Sequence, residues 1–137
     1  MWKIKVLIIL LMGMFNSCKS QNLETCSLNV DYEFKGEKEN KIENVILVLE
    51  TGFDDYLEIF VNDELIQKGL YVTNREYGTA GEVIDYQYEK NDLPSFMIKT
   101  EKGCLAFKAN ENYRIIFLHK GEDSWIVEYR NEFKIIE

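Results

Sequence analysis

Leu57-Glu58-Ile59-Phe60-Val61-Asn62-Asp63-Glu64-Leu65-Ile66-Gln67-Lys68 is the stretch from which the fold can be read. Two arms rich in β-branched and aromatic residues flank the pair Asn62-Asp63. Asn and Asp tolerate the left-handed backbone angles that a tight hairpin turn demands. A two-residue loop sets Ile59 opposite Ile66 and Phe60 opposite Leu65. Leu57, Ile59, Val61 and Ile66 then share one face, which is expected to be the core.

The same period of two extends outward from this hairpin. Leu28, Val30, Tyr32 and Phe34 alternate with Asn29, Asp31, Glu33 and Lys35, the pattern of a half-buried strand with one wet face. Residues 45–49 (Val-Ile-Leu-Val-Leu) are continuously apolar, as in a strand covered on both sides. Further strands are predicted over residues 70–73, 82–88, 95–100, 104–108, 113–119, 124–129 and 133–136. Gly, Asn, Asp and Lys fill the breaks between them, which is turn chemistry. No amphipathic helix of three turns follows residue 18. About nine or ten short strands at this spacing predict an all-β chain, an antiparallel β-sandwich of the immunoglobulin-like kind. A small closed β-barrel is the alternative.

The ends of the chain give it an address. Lys3 and Lys5 precede an apolar run from Val6 to Phe15, and Asn16-Ser17-Cys18 follows. A charged segment, a short apolar segment and a small residue before a cut are the parts of an export signal. The run is about half the roughly 20 residues that a membrane-spanning helix needs. With Cys at the cut, residues 1–18 resemble the signal of a bacterial lipoprotein. The resemblance implies cleavage after Ser17 and a lipid on Cys18. Phe15 and Asn16 depart from the commonest form of that pattern, and an ordinary signal cut near Ser17 or Ser20 is the alternative. The expected organisation is a cleaved signal at 1–17, a lipidated end and polar tether at 18–26, and one domain at 27–137. The resemblance also implies a cell-envelope location, with Lys19 after the Cys favouring the outer membrane and its periplasmic face.

The chain carries 24 acidic and 16 basic side chains, a net charge of −8. Loss of Lys3 and Lys5 with the signal leaves 14 bases against 24 acids, a net of −10. Such a surface repels nucleic acid, and nucleic-acid binding is excluded on that ground. The partners that fit are the membrane, through the lipid anchor, and a basic envelope protein or a glycan. Oligomeric state is not legible.

Three cysteines are an odd number for an exported chain. Lipidation of Cys18 leaves Cys26 and Cys104 as a pair, and an oxidising compartment permits a disulfide between them. Two separately buried thiols are the alternative.

Catalytic signals are sparse. The single His119 closes an apolar strand, the setting of a structural or rim residue. One His without Cys–His spacing does not make a zinc site of the usual kind, and no cofactor or metal is expected. No Gly-x-Ser-x-Gly elbow and no Gly-rich phosphate loop occur. Asp54-Asp55, Asp63-Glu64 and Glu122-Asp123 fall in predicted turns. The irregular loop 74–81 offers Arg75 and Tyr77, which with Trp125 form the candidate recognition surface; packing of Trp125 in the core is the competing reading. The functional expectation is a non-enzymatic, lipid-anchored binding or structural module of the envelope. Its alternatives are a small acidic inhibitor or immunity-type protein and, third, a carbohydrate-active enzyme using turn carboxylates.

Overall fold

The computed structural model describes residues 26–40, 42–89 and 91–133. The proposed signal, Cys18, the tether up to residue 25 and most of the strand expected at 133–136 lie outside them. Nine strands run in chain order: β1 (Val30–Phe34), β2 (Asn44–Leu49), β3 (Asp54–Val61), β4 (Glu64–Val72), β5 (Ile84–Gln87), β6 (Ser95–Thr100), β7 (Gly103–Lys108), β8 (Ile115–Lys120) and β9 (Trp125–Arg130). They form a five-stranded sheet, β1-β9-β8-β2-β5, and a four-stranded sheet, β4-β3-β6-β7, stacked as a sandwich. Among the described residues neither sheet closes on itself, so the barrel alternative falls.

The Asn62-Asp63 turn forms as expected. Both residues take positive φ, 49° and 66°, as a primed two-residue turn requires. Phe60 pairs with Leu65, but Ile59 pairs with Gln67 rather than Ile66. A bulge at this point leaves Ile66 without an opposite residue, and it is 37% exposed instead of entering the core. Leu57, Ile59 and Val61 are fully buried, as their alternation predicts. Strand β4 runs through Gly69 without a break, joining what reads in the sequence as two short strands. Asp54 and Asp55 open β3 rather than sitting in a turn.

Most pairings are antiparallel, but β1 runs parallel to β9 and β2 parallel to β8. The core lies between the sheets, with Leu47, Leu49, Ile116, Leu118 and Val127 from one and Leu57, Ile59, Ile98 and Leu105 from the other. The continuous apolar run of β2 is covered on both sides. Val48 joins Ile115 and Phe117 in a second buried cluster on the outer face of the five-stranded sheet, with Ile46 packed against it. Among the described residues no helix is long and apolar enough to cross a membrane.

Candidate functional site

Cys26 and Cys104 form a disulfide, their Cα atoms 4.7 Å apart. It joins the segment before β1 to strand β7 across 78 residues of sequence. Leu28 N–H donates to the Cys104 carbonyl beside it (3.2 Å), so the first described residues lie along the free side of β7.

That free side continues into an aromatic cleft. At the open flank of the sandwich, edge strand β1 of one sheet faces edge strand β7 of the other. Between them lies an open depression of about 640 Å³, lined by Tyr32, Phe34, Phe96, Phe107, Tyr129 and the rim residues Lys108 and Asn110. Tyr32 and Phe34 are 50% and 54% exposed, so the stripe that reads as a strand's core face instead looks into this opening. Phe34 stacks on Tyr129 with ring centroids 4.8 Å apart and planes 8° from parallel. Tyr32 lies parallel to the same ring at 6.4 Å.

Tyr129 anchors this platform. Its hydroxyl donates to the Lys108 carbonyl at 2.6 Å. Burial, then the neighbouring Tyr32, pushes its phenol well above the ordinary range, so it remains a neutral donor. The Tyr32 hydroxyl reaches within 3.5 Å of the Ala106 carbonyl. Leu28, Tyr32 and Tyr129 thus engage the outward carbonyls of Cys104, Ala106 and Lys108 in turn, which occupies the acceptors of an edge that another strand would otherwise use.

Of the residues singled out in the sequence, Arg75 and Tyr77 are exposed on a short turn ordered by Asn74. The Asn74 side-chain oxygen accepts from the Glu76 and Tyr77 N–H groups at 2.8 and 3.3 Å. Trp125 does not join them. It is 5% exposed and packs edge-on against Phe53, so it belongs to the core and leaves the proposed recognition surface.

His119 has company that its isolation in the sequence conceals. On the outer face of the five-stranded sheet, its Nε2 lies 3.6 Å from both Glu50 Oε2 and Glu128 Oε2. Its Nδ1 meets Thr51 Oγ1 at 3.0 Å. The three donors fall within 4.8 Å of one another, a set of a type that binds divalent cations. Yet Glu128, 1% exposed, already has Lys35 Nζ at 2.8 Å and Arg130 Nε at 3.4 Å. A hydrogen bond to Glu128 and its charge hold the Lys35 ammonium above its ordinary pKa. Lys35 and Arg130 thus stabilise the buried Glu128 carboxylate, and a dication would have to displace these cations.

Lys120 and Asp55 form a second pair near the start of β3. Burial alone would raise the Asp55 pKa, but the Lys120 hydrogen bond, the Asp54 N–H and the charge of Lys120 together bring it below the usual value.

Comparisons with protein-family models, with curated proteins and with solved structures return no match to this chain.

Proposed function

We propose that the chain is an exported, lipid-anchored binding module of the bacterial cell envelope that recognises a glycan in the cleft between β1 and β7. The observation that carries this reading is the half-exposed pair Tyr32 and Phe34 beside the buried ring of Tyr129. A folded chain does not ordinarily leave two large aromatic rings together in an opening unless they meet something. Parallel rings offer flat apolar surfaces to the C–H faces of a sugar, while Lys108, Asn110 and Ser95 at the rim supply polar contacts. A net charge of −8 favours a neutral ligand over an acidic one.

In this reading Cys18 carries the lipid, residues up to 25 are the leash, and the domain faces the periplasm from the outer membrane. The module binds without transforming its ligand. Titration of the protein with neutral oligosaccharides tests it. Phe34→Ala should weaken binding at least tenfold while leaving the circular dichroism spectrum and thermal midpoint close to those of the parent, because Phe34 is 54% exposed. Binding unchanged by Phe34→Ala removes the cleft from the function.

A second reading, an acidic inhibitor of a basic envelope protein, is favoured by the charge alone. Capture of one tight basic partner, released by moderate salt and indifferent to Phe34→Ala, would select it.

A further inference from the structure

Strand register places an unusual set of residues on the outer face of the four-stranded sheet. Leu57, Ile59 and Val61 point into the core, so Tyr56, Glu58 and Phe60 point away from it. Residues directly opposite share a face. Tyr56 is therefore beside Leu70, Asp54 beside Val72, and Phe60 beside Leu65 and Met97. Leu70 is 69% exposed, Val72 50%, Tyr56 46% and Leu65 43%. An apolar face of this kind calls for a covering surface.

Two further features identify that surface. The row between the apolar pairs reads Lys68, Glu58, Lys99, Cys104 across the sheet. The disulfide to Cys26 is thus rooted on this same outer face. With Cys18 as the lipid site, eight residue steps separate the anchor from the disulfide, at most about 29 Å of extended chain. The far strand of the sheet, β4, is three strand spacings from Cys104, roughly 14 Å. The leash therefore ends on the exposed apolar face and is short enough to hold that face against the bilayer. Charge agrees. Among the described strand residues, Lys68, Lys99 and Lys108 share the face with Asp54 and Glu58, a small positive excess on a chain of net charge −8. A basic, apolar face suits a phospholipid headgroup region better than the acidic remainder does.

We propose that the outer face of the four-stranded sheet is a membrane-contacting face, resting on the lipid surface into which Cys18 is anchored, with Tyr56, Leu65, Leu70 and Val72 entering the interface. This rests on the lipid-anchor reading above. It orients the domain: the five-stranded sheet faces away from the bilayer, and the aromatic cleft opens sideways, parallel to it.

The test uses the full chain, processed in cells and reconstituted in phosphatidylcholine vesicles with or without brominated acyl chains, which quench nearby indoles. Leu70→Trp and, separately, Val72→Trp place a reporter on the proposed face. Ile126→Trp places one on the outer face of the opposite sheet, since Trp125 and Val127 on either side of it are core. Native Trp125 gives the background. Brominated lipid should reduce the added emission at positions 70 and 72 at least twofold and leave that at 126 unchanged. Equal quenching at all three sites overturns the face assignment, as does its absence at 70 and 72 with a dimer seen by light scattering, the mark of a second copy on this face. Mass spectrometry of the same sample separates the premises. A diacylglyceryl adduct on Cys18 with equal quenching sinks the orientation alone, whereas an unmodified Cys18 sinks the anchor and the orientation with it.

Discussion

Glycine 52 and glycine 78 both take positive φ, 86° and 74°, yet their surroundings differ. A Cβ on Gly52 would stand 2.1 Å from the Lys120 carbonyl oxygen, whereas one on Gly78 would meet nothing within 4 Å. The Gly52 turn must lie flat on β8 because Lys120 N–H donates to the Thr51 carbonyl at 2.9 Å. Gly78→Ala should cost only the left-handed backbone penalty, about 1 kcal/mol. Gly52→Ala adds a backbone clash and should cost at least about 3 kcal/mol in urea unfolding. Similar losses at the two sites would contradict the close approach. At the same scale, Asp55 is lowered from a starting value of 3.8 by Lys120. A carboxyl depressed in the folded state stabilises above its unfolded pKa, and that contribution is lost as pH falls through the folded value. Between pH 5 and 2 the parent should therefore lose more stability than Lys120→Met does, by less than about 1 kcal/mol, because the pair is partly solvated. Parallel acid profiles would show that the pair contributes nothing.

At the scale of elements, the hairpin and the two-sided strand were legible because local chemistry dictates them. Asn62-Asp63 can take positive φ, and an unbroken Val-Ile-Leu-Val-Leu run leaves no wet face. The bulge at Ile66 was not, since an even loop predicts continuous pairing and an extra residue leaves no local mark. The cleft was hidden for a related reason. Tyr32 and Phe34 alternate like any core stripe, and only the sheet order puts their strand at an edge facing β7. Trp125 went the other way: an aromatic near a turn looks available until Phe53 closes over it. Glu128 carries a weak signal, a lone acid inside Trp-Ile-Val-Glu-Tyr, but its partners Lys35, His119 and Arg130 come from the end of β1, from β8 and from its own strand β9, and Glu50 joins through the end of β2. Alternation along β9 puts Arg130 on the same face as Glu128, but nothing in the sequence spacing announces the meeting with the others.

For the molecule as a whole, the disulfide adds a covalent cross-link between the sheets beyond the backbone connections. Cys26 leads into β1 of the five-stranded sheet and Cys104 lies in β7 of the other. It closes a loop of 78 residues, for which the chain-entropy model gives roughly 4–5 kcal/mol. Reduction should lower the urea midpoint correspondingly, and Cys26→Ser with Cys104→Ser should reproduce the shift without reductant. A midpoint indifferent to reductant would mean that hydrogen bonding along β7 already holds the segment in place.

The parallel pairing of β1 with β9 has a consequence for how the chain comes to be. Synthesis makes β1 first and β9 last, so the earliest strand waits for Trp125–Arg130 before it has a neighbour. β2 can meet β5 earlier, but its other neighbour, β8, is also made late. No growing polypeptide shorter than nearly the whole chain can complete the larger sheet, and such remote pairings form slowly. The larger sheet of a nascent chain of this design therefore stays incomplete until nearly all of the strands have been made. In the export reading proposed above, an incomplete sheet is the state in which the polypeptide would pass a narrow translocation pore and close its sandwich on the other side.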